Sequence, residues 1–88
     1  MAEEQTVLVV DDEVRMRRIL RDYLQIKGYV VLEAVDGVEA LELLSRRDVD
    51  LVLLDVMMPR MDGFETCRRI RQTSAVPVIM LTARSEEE

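Results

Sequence analysis

The chain has 88 residues, enough for one small domain with a modest core. Its 49% hydrophobic and 34% charged residues are ordinary for a folded globular protein, which argues against an intrinsically disordered chain. The net charge of −6 disfavours direct binding to nucleic acid or to an anionic membrane surface, so any DNA contact is expected to come from another domain.

The residue types exclude further kinds of site. The sequence has one cysteine, Cys67, and no histidine, which removes internal disulfides, histidine-based triads and most zinc sites. No apolar run approaches the ~20 residues of a membrane span, and the N-terminal segment is acidic where a signal peptide is basic. We therefore expect a cytoplasmic protein that binds no membrane and holds any metal through oxygen ligands.

The first half of the chain predicts a strand, a helix and a second strand. Residues 7–10 form an apolar run, and Gly28 is a typical stop for the helix that follows. Residues 30–32 read as the second strand. The helix between them is expected to bury one apolar stripe and to expose its arginines to solvent. The stripe comprises Met16, Ile19, Leu20, Tyr23 and Leu24, and the arginines are Arg15, Arg17, Arg18 and Arg21.

Two further helices are marked by the same N-terminal signal. Asp36 can cap the second helix while Glu39 reaches back to it, and Asp62 with Glu65 repeats the arrangement at the third helix. The third and fourth strands are predicted at 51–54 and 78–81. The inner face of the third helix is predicted to comprise Phe64, Cys67 and Ile70.

The element order is therefore βαβαβαβ, and its strands are unbroken aliphatic runs. Such strands indicate a parallel sheet covered by helices, which is an α/β fold. With the strand order 2-1-3-4, as in flavodoxin-like sheets, ligands bind outside the carboxyl ends of strands 1 and 3. A single helix of ~10 Å diameter cannot cover four strands ~4.8 Å apart, so part of one sheet face is expected to stay bare.

Three aspartates follow the strands at those carboxyl ends. Asp11 and Asp12 come after the first strand, and Asp55 comes after the third. Two unit charges ~5 Å apart repel by about 3 kcal/mol at an effective dielectric constant of ~20, which favours recruitment of a cation. Mg2+ suits such a site because it binds one or two carboxylates, keeps several waters and accepts phosphate oxygen. The alternative is that Asp12 merely caps a helix and Asp55 sits in a turn.

Four segments together resemble the receiver (CheY-like) domain of bacterial two-component response regulators. They are Asp11-Asp12-Glu13, Asp36-Gly37, Asp55-Val56-Met57-Met58-Pro59-Arg60-Met61-Asp62-Gly63 and Leu81-Thr82-Ala83. The resemblance spans all 88 residues. It implies the flavodoxin-like (CheY-like) fold and a phosphoacceptor switch domain, rather than a turnover enzyme.

The resemblance also implies residue roles. Asp55 is the nucleophile that takes a phosphoryl group from a phosphohistidine of a sensor histidine kinase. Asp11 and Asp12 hold Mg2+ together with Asp55 and the backbone carbonyl of Met57. The hydroxyl of Thr82 contacts a phosphoryl oxygen.

The sequence departs from the receiver pattern by omission. Receivers have a fifth strand that ends in a phosphoryl-binding lysine, and two further helices, helices 4 and 5, that this sequence lacks; the only lysine is Lys27, at the end of the first helix. Residues 1–88 are therefore expected to be a single truncated receiver domain, the N-terminal part of a longer protein that could carry a DNA-binding effector domain. The alternative function is a non-switching fragment that folds, binds metal and self-associates through the edge or face of strand 4 without efficient phosphotransfer.

A rival enzyme class shares the strand-end aspartate and magnesium. Phosphatases of the haloacid dehalogenase type need a second acid two residues after the nucleophile. That position is Met57 in this sequence, so this class is rejected.

Overall fold

The structure is a computed structural model that describes residues 4–56 and 62–81. The predicted order βαβαβαβ is confirmed, and the second strand extends two residues beyond its predicted end. The elements are β1 (Thr6–Val10), α1 (Val14–Ile26), β2 (Val30–Ala34), α2 (Gly37–Arg46), β3 (Leu51–Asp55), α3 (Gly63–Thr73) and β4 (Val78–Leu81).

All neighbouring strands are parallel, and their order is β2-β1-β3-β4, as predicted. Val10 lies opposite Ala34 on one side and Leu54 on the other, so the ends of the three strands are level. Asp55 extends β3 by one residue and lies opposite Leu81. The carboxyl ends of β1 and β3 therefore lie side by side, which is where this strand order places a ligand site.

The core lies between the sheet and the pair α2 and α3. Leu8 and Leu54 are completely buried there, and burial of each such side chain contributes about 2 kcal/mol. The buried cluster consists of Leu8, Val10, Ala34, Ala40, Val52, Leu54, Ile70 and Val76. The inner face predicted for α3 is correct for Ile70 and for Cys67, which packs against this cluster, but wrong for Phe64, whose surface is 67% exposed.

The opposite face of the sheet carries α1, and the prediction of its buried side is partly wrong. Ile19 is 60% exposed, whereas the Arg17 side chain is only 11% exposed. Arg17 and Arg21 both bind Glu33, a carboxylate on β2 under the helix. Because an unpaired carboxylate beside apolar strands is costly, Arg17 and Arg21 turn toward this part of the sheet. Leu20 and Leu24 of the predicted stripe are half-buried, and Arg15 and Arg18 are exposed, as predicted.

The predicted aspartate caps of α2 and α3 are confirmed, but the reciprocal glutamate contact is seen only at α2 among the described residues, and the Glu65 carboxylate pairs with Arg68 and Arg69. The Asp36 carboxylate accepts a hydrogen bond from the Glu39 amide at 2.9 Å, and the Glu39 carboxylate accepts one from the Val35 amide at 2.8 Å. The Asp62 carboxylate caps α3 by accepting from the Glu65 amide at 2.9 Å. Gly28 closes α1 with a φ of 99°, in the left-handed region that favours glycine.

Part of the α1 side of the sheet is uncovered, as predicted. Helix α1 packs mainly on β1 and β2, and Ile79 of β4 is 49% exposed on this side beside Leu53. In the described ranges, β4 is an edge strand. Within the same ranges, no helix is long and apolar enough to cross a membrane.

Candidate functional site

The structure brings the three predicted aspartates together. Asp11, Asp12 and Asp55 each offer a carboxylate oxygen, and these oxygens lie within 4.8 Å of one another. Asp11 and Asp55 are buried, at 6% and 9% exposure, and Asp12 is exposed. The cluster thus has two buried acids with a third at its rim, open to solvent.

Backbone and side-chain hydrogen bonds fix Asp11 at the end of β1. Its amide donates to the carbonyl oxygen of Ala34 at 3.1 Å, which extends the β1–β2 ladder by one bond. Its carboxylate accepts from the amide of Glu13 at 2.9 Å. Its carbonyl oxygen accepts from Nη1 of Arg17 at 3.0 Å. The Asp11 peptide is therefore held from β2 and from α1 at once.

The alternative role considered for Asp12, a cap for the first helix, belongs to its neighbour. Glu13 is the N-cap of α1, and its carboxylate accepts from the amide of Met16 at 3.0 Å. The three consecutive acids therefore have different roles: the third caps the helix, and the first two belong to the cluster.

Asp55 is fixed by the strand that precedes it and by the helix that follows. The next residue, Val56, donates its amide to the carbonyl oxygen of Leu81 at 3.0 Å, and its carbonyl accepts from the Gly63 amide at 2.8 Å. Helix α3 therefore begins directly against the peptide that follows Asp55. Val56 is thus bonded both to the end of β4 and to the start of α3.

The electrostatics of the cluster favour a cation. Burial raises the pKa of the Asp11 carboxyl; the hydrogen bond from Glu13 opposes this, while the charges of Asp55 and Asp12 and a side-chain hydrogen bond with Asp55 add to it. A divalent ion would replace this repulsion by attraction, because it neutralises the like charges that disfavour ionisation.

The donor set fits Mg2+. It consists of carboxylate oxygens, which are the ligands of hard divalent cations, and the exposed Asp12 leaves the cluster open to solvent water. Met57 and Thr82 lie outside the described residues. Their proposed contributions, a backbone carbonyl and a hydroxyl, stay predictions.

Sequence reasoning missed Arg17. The sequence pattern predicts a solvated position for this residue, but its side chain contacts the backbone of Asp11 in the cluster. The signal that could have found it is Glu33, which interrupts an otherwise apolar β2 segment and therefore needs a cationic partner from the helix above.

Comparison with known sequences gives one family. The family model described as the response regulator receiver domain matches residues 7–88. The transcriptional regulatory protein ResD of Bacillus subtilis is 52% identical over 84 residues, which cover 96% of this chain and 35% of ResD. A probable transcriptional regulator, ycf27, of Porphyridium aerugineum is 49% identical over 84 residues, again 96% of this chain and 35% of the relative. The chain thus spans about a third of the length of these relatives.

Solved structures agree with the observed fold. Chemotaxis protein CheY4 of Vibrio cholerae superposes with a TM-score of 0.90 at 37% identity, covering 96% of this chain and 72% of that protein. Response regulator TrrA of Thermotoga maritima, solved in complex with Mg2+ and BeF, superposes with a TM-score of 0.87 at 40% identity, covering 92% of this chain and 71% of TrrA.

Proposed function

Because this chain belongs to the response regulator receiver domain family, we propose that it accepts a phosphoryl group on Asp55 from the phosphohistidine of a sensor histidine kinase. The observation that carries the proposal is the convergence of carboxylates from Asp11, Asp12 and Asp55 at the ends of β1 and β3. The TrrA complex with Mg2+ and BeF supports it, because a receiver-fold relative binds that ion.

The transfer needs few groups from the protein. A carboxylate oxygen of Asp55 forms the new bond to phosphorus while the P–N bond of the phosphohistidine breaks. The imidazole nitrogen keeps the electron pair of that bond and takes a proton from solvent. Since a carboxylate is already ionised, no general base is required, and catalysis depends on positioning and on charge neutralisation.

The acidic cluster supplies the site for Mg2+. When bound, the ion neutralises charge on the phosphoryl oxygens. Asp11 and Asp12 would hold it together with Asp55, and the backbone carbonyl of Met57 is the proposed fourth protein ligand. The hydroxyl of Thr82 is proposed to donate to a phosphoryl oxygen. In this role the chain is a phosphoacceptor and switch domain rather than an enzyme with turnover.

The activity of the whole protein is a separate proposal. The chain covers 35% of ResD and of the ycf27 relative, both named as transcriptional regulators. We propose that the parent is such a regulator, acts in the cytoplasm, and contacts DNA through a domain other than this acidic one. The net charge of −6 supports this assignment, because an acidic domain is repelled by the phosphates of DNA.

The test is phosphorylation of the full-length parent by acetyl phosphate with Mg2+, followed by mass spectrometry. We expect a phosphoryl adduct on Asp55 that is lost in Asp55→Asn and without Mg2+. Asp48→Asn is the matched control, because it removes a carboxylate from an exposed position outside the cluster. Equal labelling of Asp55→Asn and the parent would overturn the assignment of the acceptor.

A second proposal concerns the isolated 88-residue polypeptide. The exposed Ile79 and the edge of β4 leave an apolar face and a row of backbone groups that another strand can pair. We propose that two copies associate through this edge, since identical β4 strands supply matching donors and acceptors. This association does not require phosphotransfer.

A further inference from the structure

We propose that Arg17 is a positioning residue for the magnesium site, acting through the backbone of Asp11. The inference rests on the proposed function, because it assumes that Mg2+ binds at the acidic cluster. Arg17 itself does not need to touch the ion. Its described contact with Asp11 is to the backbone carbonyl oxygen.

The guanidinium group of Arg17 uses two of its donors in two directions. Nη1 donates to the Asp11 carbonyl at 3.0 Å, and Nε donates to the Glu33 carboxylate at 2.8 Å. Glu33 lies opposite Val9 in the β1–β2 pairing. Val9 is two residues before Asp11 in the chain. Arg17 therefore ties the end of β1 to β2 through a planar fork, an arrangement that a flexible ammonium group does not reproduce.

This tie completes the restraint of Asp11. The amide and carboxylate of Asp11 are already occupied by Ala34 and Glu13, and Arg17 takes its carbonyl. Mg2+ demands near-ideal octahedral geometry, so a ligand free to shift by a few tenths of an ångström binds it less well. Loss of an outer-shell partner typically weakens metal binding by about 10–100-fold.

Replacing Arg17 has two opposite effects on the affinity for Mg2+, one through its charge and one through the position of Asp11. Removing a cation near three carboxylates would by itself strengthen the binding of Mg2+, because less positive charge opposes the ion. Loosening Asp11 would weaken that binding. The partly buried ion pair favours the second effect, because Glu33 neutralises much of the charge of Arg17, whose side chain is 11% exposed.

Arg21 provides a matched control. It also binds Glu33, at 3.3 Å, and it additionally pairs with Asp22 on its own helix. Its described contacts include neither Asp11 nor the rest of the cluster. Arg21→Met thus removes one positive charge from the same helix, as Arg17→Met does, but it leaves the contact with the Asp11 carbonyl in place. Conversely, Arg21 is expected to keep Glu33 paired when Arg17 is replaced.

The experiment is an NMR titration of the chain with Mg2+, following the amide signals of the cluster. We expect Arg17→Met to raise the dissociation constant about tenfold or more, and Arg21→Met to leave it unchanged or slightly lower. Arg17→Lys, which keeps the charge but not the fork, should stay as weak as Arg17→Met. Thermal melting in EDTA shows whether each variant is folded.

A measurement on the unmodified chain avoids any folding defect of the variants. The Nε–H signal of Arg17 should shift during the Mg2+ titration with the same midpoint as the amide of Asp11. Three outcomes would overturn the inference while leaving the metal site intact. They are an Arg17 signal that does not respond to Mg2+, an Arg17→Met variant that binds Mg2+ with the original affinity, and full recovery of that affinity in Arg17→Lys. No Mg2+ binding by the unmodified chain would overturn the metal site and the inference with it.

Discussion

The amide of Gly63 donates to the carbonyl oxygen of Val56 at 2.8 Å, and no side chain could fit between the two residues. A Cβ atom added to Gly63 would lie 2.6 Å from Cα of Val56 and 2.7 Å from the carbonyl oxygen of Asp55. The first residue of α3 therefore packs directly on the peptide that carries the proposed phosphoacceptor. The spacing of this contact sets where the helix begins relative to β3.

Replacing Gly63 by alanine should push the start of α3 away from the peptide between Asp55 and Val56. Because the clashing atoms are backbone, they cannot rotate away, and we expect a loss of about 1–3 kcal/mol in the free energy of unfolding. Mg2+ binding should weaken as well, since Asp55 is displaced. Urea denaturation measures the first effect, and Gln72→Ala on the exposed side of the same helix is the control. An alanine variant as stable as the original would show that the contact is looser than described.

Magnesium should stabilise the folded chain by mass action. At a tenfold excess over the dissociation constant, the gain is about 1.4 kcal/mol, because the ion binds the converged carboxylates and not the unfolded chain. Asp12→Ala should remove this gain, and Asp48→Asn should keep it. Melting curves at matched ionic strength test the prediction. Equal responses in Asp12→Ala and the original chain would place the ion elsewhere.

The raised pKa of Asp11 gives a pH dependence. Burial raises this pKa above its ordinary 3.8, so the folded state binds more protons than the unfolded state between 3.8 and the raised value. Without divalent ions, this carboxyl therefore lowers the free energy of unfolding as the pH rises through that window, and the penalty remains at neutral pH.

Asp11→Asn removes that penalty while retaining an oxygen for the Glu13 amide. The variant should melt higher than the original chain in EDTA at neutral pH, and the difference should vanish at a pH well below 3.8, where Asp11 is protonated in both states. It should also lose the response to Mg2+. A variant that melts lower at neutral pH would contradict the pKa argument.

The isolated polypeptide should self-associate through the bare side of β4. Ile79→Lys should shift it toward monomer, because a charge on this face opposes strand pairing. Val38→Lys on α2 introduces the same charge on the opposite side of the sheet and is the control. Light scattering measures the mass at a protein concentration on the order of tens of micromolar, which is well above a micromolar dissociation constant. A compact monomer that binds no hydrophobic dye would refute the association.

The sequence was sufficient for the order of elements, the strand topology and the three aspartates of the cluster. Unbroken apolar runs such as 51–54 can only be buried on both faces, which favours parallel strands, and parallel strands place their carboxyl ends at one edge. The caps at Asp36 and Asp62 are local chemistry between residues three positions apart, so they too were readable.

The orientation of α1 was decided only by tertiary structure. Periodicity predicts that the apolar stripe with Ile19 faces the sheet and that the arginines face solvent, but Ile19 is exposed and the Arg17 side chain is nearly buried. Glu33 decided this, because a carboxylate on the covered face of β2 costs more than an exposed isoleucine unless a cation pairs with it. The pairing joins residues 16 positions apart, so neither helix nor strand periodicity contains it, and with it comes the contact of Arg17 with Asp11.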